Sequence, residues 1–363
     1  MSFNEATRQN FVQGPAMTYA LGQTVYSRVP KVGFIRRIIL LFSGTITVTL
    51  GGGTAALGVE APFSIISRLR LVANGNTALF DTSGYGAMIA SLFSAYGFAG
   101  FGSRPRIVDG ATVPGPAASA FSAANYVAAA TDGTAWRFGL EIPLAIADDW
   151  RPPIGLILAA APDTELTIEC TFGSTFYSTT ASRTTPITTT GAATASMSAT
   201  LTPWVEYFTI PQSPADYPDL RRIHTWSEQG PQAIAANGDQ DVVIQRGNTI
   251  MRIVHLVTTN SALDGSNVTT LQLRYNTNEI PYTLSRQLAA YLQRQRMVRD
   301  LPDGVYVHDL WNSGTPRDAI NTLNLNELTS RLTLSGATIA GTSDIRTLVE
   351  QLIQLTGAVS GSA

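Results

Sequence analysis

Phe34-Ile-Arg-Arg-Ile-Ile-Leu-Leu41 and Ile250-Met-Arg-Ile-Val-His-Leu-Val257 are two nearly unbroken apolar runs, each carrying arginine at its third position, 216 residues apart. Runs of this kind suit strands covered on both faces. Three more stretches follow them in the same order. Leu69-Arg-Leu-Val-Ala-Asn-Gly-Asn76 lies over Leu271-Gln-Leu-Arg-Tyr-Asn-Thr-Asn278, a step of 202; Leu166-Thr-Ile168 lies over Leu332-Thr-Leu334, a step of 166; Trp204-Val-Glu-Tyr-Phe208 lies over Leu348-Val-Glu-Gln-Leu352, a step of 144. The colinear order and the falling step indicate an internal duplication whose first copy has 72 more connecting residues than the second.

Between these matches, β-signals dominate. Thr45 to Leu50, Trp136 to Ile142 and Leu166 to Phe172 alternate polar with apolar, the pattern of half-buried strands. Asn74-Gly75 separates two strand-like runs and supplies the positive φ values of a type I′ hairpin turn. Two segments have helical period instead. Gly84 to Phe98 carries Tyr85, Met88, Ile89, Leu92, Phe93 and Tyr96 on one face, and Thr283 to Arg296 carries Leu284, Leu288, Tyr291 and Leu292. Both follow a strand–turn–strand unit, with Ser83 over Ser285 in the same register. Asp344 to Leu355 also has helical spacing, but its partner in the first copy, Leu201 to Ile210, is rich in aromatic and β-branched residues. We therefore read 344–355 as the last strand of the second copy.

The expected fold class is all-β: two tandem eight-stranded jelly-roll sandwiches with short helices in the connections. The first spans 1–212, with long surface loops at 97–133 and 173–200, and the second spans 213–363. Gly, Ala, Ser, Thr and Pro dominate both loops, which have too few large apolar residues for a core of their own. They read as surface excursions, or as arms that order against a neighbour. Ser213 to Arg222, with Pro214 and Pro218, suits a linker.

Only 14% of the 363 residues are charged, against about 25% in an ordinary soluble domain. So neutral a surface suits a chain covered by copies of itself. The formal net charge of −2 provides no basic field for nucleic acid. The segment Met1 to Gly22 has no signal-peptide pattern, and the apolar runs are shorter than the roughly 20 residues that span a bilayer. Folding in the host cytoplasm is the expectation.

No catalytic, cofactor-binding or metal-ligating residue is assigned. The histidines His224, His255 and His308 are far apart in sequence, and His255 and His308 fall within core strands as structural residues. Asp148-Asp149-Trp150 has the composition of a carbohydrate site. Adjacent carboxylates in a turn rarely face each other across a substrate as a glycosidase requires, so helix capping or a turn is the expected role, with cation binding the alternative. Cys170, the sole cysteine, lies on an apolar strand face without a basic neighbour. Gly51-Gly-Gly53 precedes a loop, so it forms no phosphate-binding turn. Arg294, Arg296 and Arg299 read as a solvated helix end or an intersubunit ion-pair patch, with contact to lipid or nucleic-acid phosphate as the lesser alternative.

A tandem pair of sandwiches with a helix after the fourth or so strand resembles the double-jelly-roll major capsid proteins of tailless, membrane-containing bacteriophages, in the tectivirus–adenovirus lineage. The likeness is carried by Val32 to Leu41, Ile66 to Asn76 running into Asp81-Thr-Ser-Gly84, Leu140 to Leu144 and Leu166 to Cys170. In the second copy it is carried by Arg294 to His308 and Asn321 to Leu325. The resemblance implies a homotrimer of pseudo-hexagonal outline that tiles an icosahedral virion shell. Its implied partners are vertex and minor capsid proteins and, in membrane-containing members, an internal lipid layer. The long helical amino-terminal arm of some relatives is not matched: a short polar segment precedes the first predicted strand. The alternative reading is a β-sandwich receptor- or carbohydrate-binding virion spike protein.

Overall fold

A computed structural model of the chain describes residues 3–93, 134–148, 151–180, 182–264, 267–276, 279–297, 301–311, 319–336, 339 and 342–354. Sixteen strands carry the architecture. In the first copy they are β1 (Gln9–Gln13), β2 (Thr24–Arg28), β3 (Phe34–Thr49), β4 (Ile66–Ala73), β5 (Thr77–Thr82), β6 (Thr134–Pro143), β7 (Leu166–Phe172) and β8 (Thr194–Phe208). In the second they are β9 (Arg222–Ala233), β10 (Gly238–Val243), β11 (Thr249–Thr259), β12 (Val268–Tyr275), β13 (Glu279–Ser285), β14 (Val305–Asp309), β15 (Leu328–Leu334) and β16 (Asp344–Gln354). Helices α1 (Gly84–Phe93) and α2 (Arg286–Met297) follow β5 and β13.

Each copy closes as two facing four-stranded sheets. In the first, the orders are β1-β8-β3-β6 and β2-β7-β4-β5; in the second, β9-β16-β11-β14 and β10-β15-β12-β13. The orders correspond strand for strand, so this is one jelly roll built twice. The last segment is a strand, as the register of the copies required, and pairs with both β9 and β11. Alternation explains the sheets: β7 buries Leu166, Ile168, Cys170 and Phe172 and leaves the intervening residues half-buried. At the β4–β5 hairpin Asn74 and Gly75 have φ of 51° and 77°, the left-handed values of the expected turn.

Strand pairing corrects two of the four sequence matches. Trp204 pairs with Ile39, and Leu348 with Val254. With Trp204 over Leu348, β3 lies over β11 at a step of 215, one less than the apolar runs suggested. β1 over β9 has the same step, since Phe11 pairs with Glu206 and Trp226 with Glu350. The near-continuous apolar run around Ile38 has no alternation to fix its phase, and bulges at Glu206/Tyr207 and Ile250/Arg252 hide the slip. Likewise Leu69 pairs with Cys170, and Leu271 with Leu332, so β7 lies over β15 at a step of 162 and not 166. An even shift preserves which face is apolar, so pattern alone cannot detect it. The first copy thus has 71 additional connecting residues, the difference between steps of 215 and 144.

The step of 202 stands through hairpin and helix. Leu71 pairs with Phe80, and Leu273 with Tyr282. Ser83 Oγ accepts from Gly86 N at 3.0 Å, and Ser285 Oγ accepts from Leu288 N at 3.3 Å, the same N-cap in both copies. The second helix starts at Arg286 and not Thr283, because Thr283–Ser285 complete β13. Residues 94–98 of the first expected helix, and the 97–133 loop, lie outside the described residues.

Residues 173–200 differ from an unstructured excursion. Strands Tyr177–Ser178 and Ile187–Thr189 form a small sheet with Ala55–Leu57, and β8 already starts at Thr194. Phe176 and Ile187 are buried in the first core, and Arg183 Nε reaches Asp344 Oδ2 at 3.0 Å. This segment therefore packs against its own chain.

Candidate interaction surfaces

The chemistry-bearing residues are mostly structural. His255 and His308, distant in sequence, meet inside the second sandwich because β11 and β14 are neighbours, and their ring centroids are 5.8 Å apart. Each Nε2 contacts Ser330 Oγ, at 2.7 and 2.9 Å, and His255 Nδ1 contacts Thr347 Oγ1 at 2.9 Å. One hydroxyl proton can serve only one of two imidazoles. In one self-consistent arrangement His308 Nε2–H donates to Ser330, Ser330 donates to His255 Nε2, and His255 Nδ1–H donates to Thr347. Burial lowers both imidazoles, His308 to about 4 and His255 well below its ordinary value with His308 contributing. Both are therefore neutral at pH 7.

Cys170 is fully buried, and burial pushes its thiol up to about 12. Gly51-Gly-Gly53 is a turn in which Gly51 and Gly52 have positive φ. Asp148 ends the short strand Ile146–Asp148, whereas Asp149, Trp150 and Arg299 lie outside the described residues. Arg294 is exposed on α2. Among the described residues no group of three His, Cys, Asp or Glu is placed to hold a metal, and no helix is long and apolar enough to cross a membrane.

The informative geometry is the junction between the two sandwiches. Edge strand β9 pairs in parallel with β5, Trp226 opposite Phe80 and Ser227 opposite Asp81, so two sheets merge into one. Helix α1 lies over the outward face of β9-β16-β11-β14. Its Tyr85, Met88, Ile89, Leu92 and Phe93 share one core with Trp226, Val254, Leu256, Val307 and Leu348. Phe93 stacks near Trp226 at 6.4 Å, and Arg252 lies over the Phe93 ring at 5.4 Å. The helix start is held by charge as well. Ser83 N donates to Glu228 Oε2 at 2.6 Å, and Arg346 bonds Ser83 Oγ, Glu228 and buried Glu60.

Beneath this contact is a buried ion cluster that both copies possess. Arg252 pairs with Glu350 and with Asp309, the latter at 3.1 Å, and His224 Nε2 reaches Glu350 Oε1 at 2.9 Å. Burial pushes the Glu350 carboxyl up, but Arg252 and His224 outweigh it and hold the group below its usual value. In the first copy Arg37 pairs with Glu206 and with Glu141, the latter at 2.8 Å, and Gln9 Nε2 donates to Glu206 Oε1 at 2.6 Å. Gln9, Arg37 and Glu206 occupy the matched positions of His224, Arg252 and Glu350.

The covering differs between copies. Trp226 is 1% exposed and its match Phe11 is 53% exposed; Leu256 is 1% exposed and its match Leu41 is 37% exposed. Every residue of α1 except Ser91 is buried, whereas Leu288, Tyr291 and Leu292 of α2 are exposed, Tyr291 by 59%. Among the described residues, β1 and β13 are edge strands with one free side each, although their matches β9 and β5 are paired.

No family model and no curated protein matches the sequence. Solved structures do match. The chain is similar to the STIV MCP, at 13% identity and a TM-score of 0.69, over 98% of this chain and 99% of that one. It is similar to PBCV-1 VP54, at 13% identity and a TM-score of 0.62, over 95% and 93% of the two chains. It is also similar to the major capsid protein P2 from bacteriophage PM2, at 10% identity and a TM-score of 0.51, over 96% and 100%. With the strand order above, these likenesses define the fold as a double jelly roll.

Proposed function

We propose that this chain is a structural major capsid protein and not an enzyme. Homotrimers of it form pseudo-hexagonal capsomers that tile an icosahedral shell in the virion. The observation that carries this reading is the end-to-end likeness to capsid subunits, covering 98% of this chain and 99% of the STIV MCP. Division at 212/213, the first sandwich before it and the second after, gives each capsomer six barrels from three chains. The low charge of the sequence, 14% of residues, suits tiles whose edges meet other tiles. Vertex and minor capsid proteins are the expected further partners. Light scattering of the purified chain, followed by electron microscopy, tests the reading. A trimer with a six-lobed outline supports it, and a monomer at every concentration overturns it.

A further inference from the structure

The duplication supplies a control for the interior of the second sandwich. At the steps fixed by strand pairing, Leu40 lies over His255, Ile168 over Ser330 and Pro203 over Thr347. Leu40 pairs with Leu140 and His255 with Tyr306, so Ile142 lies over His308. All eight matched residues are buried. One jelly roll therefore closes with apolar side chains at four interior positions where the other carries a polar network, so the fold itself does not require the network. We infer that it is a conformational device: acid opens the second sandwich and leaves the first closed. The inference goes beyond the capsomer reading and does not depend on it.

The network crosses the core. His255 and His308 belong to β11 and β14 of one sheet, Thr347 to β16 of the same sheet, and Ser330 to β15 of the facing sheet. Both imidazoles contact the one Ser330 hydroxyl, which thereby fastens the two sheets together. A second proton on His308 is poorly placed. Its Nε2 is engaged at Ser330, and its Nδ1 has no hydrogen-bond partner among the described residues. Protonation would bury an N–H without an acceptor, beside a second imidazole whose centroid is 5.8 Å away.

No carboxylate offsets that charge. Arg252, Asp309, Arg346 and Glu350 face the opposite side of the sheet, in the ion pairs at the junction. Arg331 of β15 pairs with Asp239 and Asp241 at the surface. Tyr306, on the inner side, donates to buried Asp264 Oδ2 at 2.7 Å. The surrounding core is built from apolar residues such as Ile253, Val257, Leu271 and Val349. Burial accordingly holds His308 at about 4 and His255 well below its ordinary value. Both rings take up protons far more readily once the sandwich opens, so falling pH drives opening. The first sandwich has no titrating side chain at the matched positions.

Thiol accessibility tests both halves of one chain at once. Leu332 lies over Cys170, and Cys170 shows that a thiol is accommodated at this position. A Leu332→Cys chain therefore carries one buried thiol in each core. It is labelled with a dipyridyl disulfide, which reacts with thiols in acid, and peptide mass spectrometry separates the two sites. Between pH 7.5 and 5.0, lowering the His308 ring from 6.5 to about 4 shifts the opening equilibrium about 30-fold, and His255 adds to it. Labelling at 332, normalised to the denatured chain, should rise relative to labelling at 170 by at least that factor. His308→Gln, which keeps an amide donor for Ser330 and does not titrate, should reduce the rise about 30-fold. Glu60 at the junction, raised to about 7 by burial, takes up a proton over the same range and favours the folded chain. It is common to both chains, so the ratio between them isolates His308. Hydrogen exchange of the unaltered chain, corrected for the intrinsic pH dependence, gives the same comparison between β7 and β15 amides. The inference is overturned if the two sandwiches gain reactivity together, or if His308→Gln leaves the rise unchanged.

Discussion

The two imidazoles inside the second sandwich make acid stability a direct test of its interior. Burial holds His308 at about 4, against an ordinary value of 6.5, and His255 well below 6.5. The unfolded chain therefore takes up protons on both rings at a pH where the folded chain takes up none. Their neutral state supports the fold fully above pH 6.5, and this support is lost as the pH falls through 6.5 towards 4. For His308 alone, a depression of this size corresponds to a loss of about 3 kcal/mol, and His255 acts in the same direction. Replacing His308 with Phe removes one titrating group while keeping the volume, at the cost of one hydrogen bond to Ser330. Denaturant midpoints of the wild type and His308→Phe, measured from pH 7.5 down to 4.5, should converge as the wild type loses stability faster. Nitrogen-15 labelling of histidine gives an independent reading from only three side chains. The reasoning fails if the His308 ring titrates near 6.5 in the folded protein, or if the two midpoint curves stay parallel.

Removing one member of the duplicated ion cluster isolates a buried charge. Arg252→Met should cost about 3–5 kcal/mol in chemical denaturation, and adding Glu350→Leu should recover much of it. Gly86 lies where the copies are in close contact: a Cβ there would stand 2.5 Å from Glu228 Oε2 and 3.0 Å from Leu348 Cδ2. Gly86→Leu should therefore destabilise the chain by about 1–3 kcal/mol in thermal melts. The matched change Leu288→Gly should cost the single chain only about 1 kcal/mol, the helix-propensity difference. Cys170, raised to about 12 by burial, should be labelled by a thiol reagent at pH 8 only in denaturant.

Strand identity and the duplication were legible wherever the sequence alternates or a turn announces itself. Leu166 to Phe172 and Asn74-Gly75 are of that kind, whereas the cap at Ser285 went unread and the helical period placed the second helix start too early, at Thr283. Register was less legible. Around Ile38 a continuous apolar run gives no phase, and the fall of one residue became visible only when Trp204 was seen opposite Ile39. The meeting of His255 with His308 depends on β11 and β14 being neighbours, a property of topology with no local signature. The interaction surfaces were half legible. Leu288, Tyr291 and Leu292 mark an apolar stripe on α2, but periodicity cannot say whether such a stripe faces inward or outward. Only the contrast with α1, covered by the other sandwich, makes the exposure of Tyr291 informative.

The connections that enlarge the first copy open at one end of its barrel. Thr49, where β3 ends, pairs with Thr194, where β8 begins, and Thr134, at the start of β6, pairs with Ile46 nearby. The small sheet of Ala55–Leu57, Tyr177–Ser178 and Ile187–Thr189 therefore stands as a crest on that end, and the second barrel has no counterpart among its described residues. A tile of six near-equal barrels would be smooth in plan yet rise in three places, giving its two faces different relief. Gly191, on a tight turn at the rim of the crest with φ of 61°, is the natural place to graft a foreign peptide for display without disturbing either core.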